Sequence, residues 1–177
     1  MSPNLLKLRA SFEILQAKVV VSMKKFHGSM VALLTPFKDG QIDEKAYADF
    51  IEWHIKQGTH GLVPVGTTGE SPTVTHDEHR RLIQICLEVT SGRVPVIAGA
   101  GSNSTAEALS LAQFAQEAGA DAAMCVVPYY NKPNQEGQYQ HFKAIHDGCD
   151  VPILIYSVPG RVVAKPSVDT LARLAEL

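Results

Sequence analysis

Short apolar segments recur about thirty residues apart along the chain, and this spacing constrains the fold more than any other feature of the sequence. Apolar residues follow one another in these segments without strict polar alternation, as expected of strands buried on both faces of a parallel sheet. The sequence therefore predicts a parallel sheet of five strands. The segments begin at Ser29, His60, Val94, Asp121 and Val151.

Helix-like segments follow the predicted strands. In the first, over residues 47–55, apolar and aromatic residues fall on one helical face. The next two open with Thr75 followed by Glu78 and with Ser104 followed by Glu107. Each pair predicts a capping box, in which a hydroxyl and a carboxylate bind free backbone amides at the helix start. A fourth helix is predicted over about 134–147, and a fifth begins near residue 166.

Strand–helix units at this period fit either an open doubly wound sheet or a (β/α)8 barrel. The open sheet predicts a GxGxxG turn after the first strand, which the sequence lacks. Polar residues instead follow nearly every strand, and barrels assemble their sites from several strand ends at one face. We therefore predict the α/β class and a (β/α)8 TIM barrel. We expect only the first five of its units in this chain, since the last helical pattern has no terminator.

The net charge bears on the class of partner, and the cysteine content bears on the compartment. A net charge of -2 over 177 residues gives no reason to expect nucleic acid or a membrane as partner. The three cysteines are scattered without a CxxC pair, which indicates thiols in a reducing compartment and hence a cytoplasmic location. Residues 1–22 are basic and poor in acids, and we expect an N-terminal extension there, outside a barrel segment over residues 23–177.

The segment VGTTGES, residues 65–71, is typical of a loop that holds a small anion. It lacks the Gly-Lys-Ser/Thr of a P-loop, so a carboxylate fits it better than a nucleotide. The alternative is a glycine-permitted turn whose hydroxyls bind their own backbone. His76 and His79 stand at a helix start with a spacing unlike that of zinc proteases, and no metal is expected.

Five motifs, in order, resemble the dihydrodipicolinate synthase family: GSMVALLTPF, VGTTGESPTVTHDEH, PVIAGAGSNSTAEA, VPYYNKPNQEGQYQHFKAI and ILIYSVPGR. The resemblance runs from about residue 26 to the end of the chain. It implies a TIM barrel with a helical C-terminal extension, usually a homotetramer, that uses no cofactor. It also implies condensation of pyruvate with L-aspartate 4-semialdehyde, on the route to lysine, through a lysine Schiff base.

The resemblance further implies roles for individual residues. Thr68 and neighbouring amides would bind the pyruvate carboxylate, and Arg161 the semialdehyde carboxylate. Thr67, Tyr130 and Tyr156 would form a hydroxyl relay that moves protons, with Tyr130 reaching across a dimer interface. The family's lysine feedback site, where this sequence matches it, falls on Ser71, His76, His79, Asn103, Glu107 and Tyr129.

The family's Schiff-base lysine belongs to the sixth strand, so the resemblance implies that it lies beyond Leu177. We expect Lys38, Lys132 and Lys165 to be exposed, and an exposed amine stays charged and unreactive near neutral pH. The chain by itself is therefore predicted to be inactive and to leave two open sheet edges. Two alternatives stay open: a related Schiff-base lyase such as N-acetylneuraminate lyase, and a non-catalytic fragment or gene relic.

Overall fold

The computed structural model describes residues 26–177, and the predicted extension over residues 1–22 lies outside the described residues. Each of the five predicted strand segments contains a strand. Numbered in chain order with a short hairpin between the first and second, they are β1 (Met30–Ala32), β4 (Gly61–Val63), β5 (Ile97–Gly99), β6 (Ala122–Val126) and β7 (Ile153–Tyr156).

The five strands lie side by side in chain order and run parallel. β1 pairs with β4, and β5 pairs with β6, which pairs with β7. A parallel bridge between Leu62 and Val96 joins β4 to the start of β5, supported by a 3.0 Å hydrogen bond from the Leu62 amide to the Pro95 carbonyl. This is the order of the first strands of a (β/α)8 barrel, and the predicted fold class is confirmed.

Helices follow the strands and cover the outer face of the sheet. They are α1 (Glu44–Lys56), α2 (His76–Thr90), α3 (Thr105–Ala118), α4 (Gln135–Asp147), the one-turn α5 (Pro159–Val162) and α6 (Val168–Ala175). Apolar side chains between sheet and helices form two buried clusters, one around Leu62 and Ile83 and the other around Val127 and Phe142. No helix within residues 26–177 is long and apolar enough to cross a membrane.

The inner face of the sheet is concave and open. Every second residue of a strand points into it, as the pleat requires. Leu154 remains 45% exposed there because no element of residues 26–177 covers that side. The strand side chains that line it are Met30, Ala32, Val63, Ile97, Ala122, Met124, Leu154 and Tyr156.

A hairpin after β1 is absent from the sequence-based prediction. Strands β2 (Phe37–Lys38) and β3 (Gln41–Ile42) pair antiparallel. Asp39 and Gly40 connect them with φ of 52° and 78°, the conformation that Asp-Gly favours in two-residue hairpin turns. The Asp-Gly pair was therefore an available signal, but strands of two residues are too short to show an apolar pattern.

The two predicted capping boxes have different outcomes. Thr75 accepts a hydrogen bond from the Glu78 amide, and Glu78 accepts one from the Thr75 amide at 2.8 Å, so the first box is confirmed. The second is wrong, because the Ser104 side chain makes no capping bond. The Glu107 carboxylate instead accepts a hydrogen bond from the Ser102 hydroxyl and contacts His76.

This difference gives a matched test of helix capping. We expect Thr75→Ala to lower the free energy of unfolding by about 1 kcal/mol, because the amides at the start of α2 lose their acceptor. Ser104→Ala removes the same hydroxyl from a helix start where it caps nothing, and we expect a change below about 0.5 kcal/mol. Urea unfolding followed by circular dichroism measures both, and equal losses would contradict the assignment.

Candidate active site at the carboxyl ends of the strands

A cavity of about 240 Å³ lies at the carboxyl ends of β4 to β7. Residues from four successive strand–helix connections surround it, which explains why residues far apart in sequence meet there. Met124 and Val126 of β6 form its apolar floor. The predicted site residues that line it are Thr67, Ser71, Tyr129, Tyr156 and Arg161.

The loop after β4 presents unused hydrogen-bond donors to this region. It folds on itself through bonds from the Gly69 amide to the Gly66 carbonyl at 3.0 Å and from the Glu70 amide to the Thr67 carbonyl at 3.2 Å. Within the described part of the chain, the amides and hydroxyls of Thr67 and Thr68 make no hydrogen bond. Thr68 faces the adjoining concave surface, which Thr67 and Tyr156 also line. These donors suit a small carboxylate.

A close backbone contact fixes the start of this loop. Val65 has a φ of 51°, a left-handed conformation that costs a β-branched residue free energy. A Cβ on residue 99 would lie 2.2 Å from the Val65 carbonyl oxygen, so only glycine permits the contact. The Thr35 hydroxyl holds the other end of the loop by donating to the Gly69 carbonyl at 2.7 Å.

His79 supports this contact from the helix side. Its side chain is 4% exposed, and Nε2 lies 2.7 Å from the Gly99 carbonyl oxygen. A carbonyl only accepts, so Nε2 carries the proton. Burial lowers the pKa of His79, an effect that the hydrogen bond to Gly99 opposes in part, and the ring is neutral near pH 7. In this structure His79 therefore faces the protein interior.

Arg161 and Tyr156 line the same cavity as Thr67. Tyr156 ends β7 and is half-buried in the cavity wall. Arg161 lies in α5, where its amide donates to the Val158 carbonyl, and its exposed guanidinium has no acidic partner among residues 26–177. An uncompensated guanidinium at the mouth of a cavity is suited to a bidentate bond with a carboxylate.

Tyr130 is not brought to the cavity with Thr67 and Tyr156, the other residues of the predicted relay. Its φ is 70° and its side chain is 89% exposed, pointing away from the site formed by its own chain. Tyr130 is adjacent to Tyr129 in sequence, but its own left-handed backbone gives the two side chains different directions. Tyr129 lines the cavity.

The residues of the predicted feedback site lie in two groups. Ser71 and Tyr129 line the cavity itself. His76 and Glu107 form a pair on the outer side, with Nε2 and the carboxylate 3.0 Å apart. Asn103 belongs to neither group, and its carbonyl accepts a hydrogen bond from the side chain of Asn131 at 3.1 Å.

Comparison with known proteins agrees with this arrangement. Residues 25–177 match the sequence model of the Dihydrodipicolinate synthetase family. The chain belongs to this family. It is 68% identical over 152 residues to the 4-hydroxy-tetrahydrodipicolinate synthase of Rhodospirillum centenum, covering 86% of this chain and 52% of that protein. The corresponding protein of Bradyrhizobium diazoefficiens is 61% identical over 153 residues, with the same two coverages of 86% and 52%.

Solved structures of family members share the fold. Dihydrodipicolinate synthase from Aquifex aeolicus superposes with a TM-score of 0.84 at 50% identity, over 85% of this chain and 52% of that one. The Acinetobacter baumannii enzyme, solved with pyruvate, gives 0.83 at 51% identity over 85% and 52%. The Cyanidioschyzon merolae enzyme, solved with lysine bound, gives 0.81 at 37% identity over 85% and 52%.

The chain spans about half the length of the curated family members it matches. All six lysines of residues 26–177 lie at least partly on the surface, and the predicted exposure of Lys38, Lys132 and Lys165 is confirmed. The sequence-based prediction did not include the contact between Val65 and Gly99 at the start of the loop. The GAG motif around Gly99 was visible, but its function depends on a contact with another strand.

The contact between Val65 and Gly99 predicts a large effect for one added methyl group. We expect Gly99→Ala to lower the free energy of unfolding by about 1–3 kcal/mol, because Val65 and its loop must move away. Gly160→Ala is the control, since a Cβ there meets nothing within 4 Å and α5 accepts alanine. Urea unfolding measures both variants, and a neutral Gly99→Ala would show that the loop is not held at this point.

Proposed function

We propose that residues 26–177 form the substrate-binding half of a 4-hydroxy-tetrahydrodipicolinate synthase. The observation that carries this proposal is the pair Thr67 and Thr68, with unused amides and hydroxyls beside Tyr156 and opposite the unpaired Arg161. The loop would bind the pyruvate carboxylate, and Arg161 that of L-aspartate 4-semialdehyde. Two carboxylate sites bordering the cavity and the adjoining concave surface match a reaction that joins two small acids.

The hydroxyl groups supply proton transfer in this mechanism. When a lysine amine adds to the pyruvate ketone, the resulting hydroxyl must gain a proton and leave as water to form the imine. Loss of a proton from the methyl group then gives an enamine, whose carbon attacks the aldehyde. Thr67 and Tyr156 border the space where these steps would occur, and Tyr130 of a second copy would complete the relay.

The nucleophilic lysine would come from outside residues 26–177. A Schiff-base amine must be neutral, which requires burial or a neighbouring cation. The described lysines lie at the surface, and those with a close charged partner face carboxylates, as Lys45 faces Asp49 and Lys143 faces Asp147. A carboxylate keeps an amine charged. We therefore propose that the 177-residue chain alone forms no imine.

The exposed Tyr130 supports association of copies of this chain. A tyrosine 89% exposed in a left-handed conformation gains nothing from its own subunit, whereas a neighbouring copy could bury it in its cavity. We propose the homotetramer that the resemblance implies. The cysteines, free throughout the described residues, support a reducing cytoplasmic location.

Trapping of the imine tests the proposed reaction. The 177-residue chain is compared with an extended chain, in which the remaining half of the Rhodospirillum centenum relative follows residue 177. Each is incubated with pyruvate and borohydride, which reduces an imine to a stable amine, and intact mass is recorded. We expect one adduct, on the added segment, only in the extended chain. We expect the condensing rate of the extended chain to fall about a hundredfold or more when Thr67→Val is introduced.

Thr73→Val is the control, because it removes an exposed hydroxyl outside the cavity lining. A pyruvate adduct on the 177-residue chain would contradict the proposed division of the site. Cleavage of N-acetylneuraminate by the extended chain without condensation would favour the related lyase. A folded extended chain with neither activity would favour a non-catalytic protein.

A second proposal concerns lysine as a feedback ligand. We propose that lysine binds near His76 and Glu107, because the half-exposed Glu107 carboxylate suits an ammonium group and Ser71 and Tyr129 lie towards the cavity. Because His79 is buried, we propose a structural role for it instead of direct contact with lysine. Its ring would hold the wall of the site through Gly99, and it would contact lysine only after rearrangement.

Charge removal tests this site. In the extended chain we expect Glu107→Gln to raise the lysine concentration for half-inhibition about tenfold, since a charge-assisted bond is lost. Glu117→Gln changes an exposed residue on the same helix and should leave inhibition unchanged. Condensing rates measured against lysine concentration give both values. Equal inhibition of the two variants, or none in the parent, would contradict the proposal.

A further inference from the structure

The backbone around Tyr130 is a strained turn. The Asn131 amide donates to the Tyr129 carbonyl at 2.8 Å, which closes a three-residue γ-turn with Tyr130 at its centre. The φ of 70° at Tyr130 belongs to the rare, strained form of this turn. Lys132 also has a positive φ, of 47°, so Asn131 lies between two left-handed residues that are not glycine.

Such a turn persists only where other contacts hold it. The Tyr130 side chain holds nothing, since it is exposed and has no partner in the described chain. The side chain of Asn131 does, because its amide nitrogen donates to the Asn103 carbonyl at 3.1 Å across to the next strand–helix connection.

The acceptor segment is itself fixed. The Ser104 amide donates to the Ser102 hydroxyl at 3.0 Å, and that hydroxyl donates to the Glu107 carboxylate of α3. Ser102 is buried. The Asn103 carbonyl therefore lies on a backbone segment that these hydrogen bonds hold in place.

We propose that Asn131 is a positioning residue that holds the γ-turn and thereby presents the Tyr130 hydroxyl to the site of a second copy. The proposal rests on the proposed function for the role of Tyr130, and on the observed hydrogen bonds for the role of Asn131. An asparagine is suited to this position because its short side chain donates a hydrogen bond while its backbone tolerates a neighbouring turn.

Two Asn-to-Asp changes in the same loop test the turn directly in the 177-residue chain. Asn131→Asp keeps the shape of the side chain but removes its donor. Asn134→Asp is the matched control, because Asn134 uses its oxygen to accept from the Gly137 amide and aspartate retains that acceptor. Carbon chemical shifts of Tyr130 report its left-handed φ, and the exchange rate of the residue 131 amide reports opening of the turn.

In Asn131→Asp we expect the Tyr130 shifts to move to those of extended backbone and the exchange of the residue 131 amide to rise roughly fivefold or more, the effect of one lost hydrogen bond. Asn134→Asp should change neither. Unchanged Tyr130 shifts in Asn131→Asp would overturn the proposal. So would equal changes at all five tyrosines, which would indicate a general loss of structure.

A double-mutant cycle in the extended chain links the turn to Tyr130. We expect Asn131→Asp to lower kcat about tenfold with little change in KM for pyruvate, because a relay group is displaced. The same change should have no further effect in a Tyr130→Phe background. A full effect in that background would overturn the proposal. An extended chain without condensing activity would instead refute the proposed function, and the chemical shifts would still decide the role of Asn131.

Discussion

The carbonyl of Val65 occupies the space where a side chain on residue 99 would lie, and the geometry of the site depends on this contact. It brings the ends of β4 and β5 together beyond the last regular strand pairing, where Val65 adopts a left-handed conformation. The turn that results directs Thr67 and Thr68 to the end of the sheet, with their amides unused. Thr35 donates to the Gly69 carbonyl of the loop, and His79 donates to the carbonyl of Gly99, on which Val65 packs.

The site is built from strand connections that contribute different chemistry. The threonine loop provides neutral donors, the connection after β7 provides an unpaired cation, and β6 provides an apolar floor. An apolar floor limits access of water, which strengthens hydrogen bonds to a carboxylate. The concave inner face is also mainly apolar. Leu154, which lies on it, is 45% exposed.

The loop that carries Tyr130 is connected to the predicted feedback residues by a hydrogen bond to a backbone carbonyl and not by contact of Tyr130 itself. Asn131 holds the Tyr130 turn against Asn103, and the segment that follows Asn103 carries Glu107 and its partner His76. Glu107, which a capping box would use at the start of α3, accepts a hydrogen bond from Ser102 instead, and Ser104 makes no side-chain capping bond.

The sequence by itself determined the parallel strands, the helices and the barrel class, because apolar period and capping pattern are local properties. It also indicated which residues reach the cavity, since Thr67, Tyr156 and Arg161 lie at or beyond the carboxyl ends of strands. Only the tertiary structure decided that Tyr129 lines the cavity while Tyr130 is exposed, that His79 is buried, and that Glu107 accepts a hydrogen bond from Ser102. The position of His79 depends on a contact with Gly99 in another connection, and the other two depend on loop conformations, which neither an apolar period nor a capping pattern encodes.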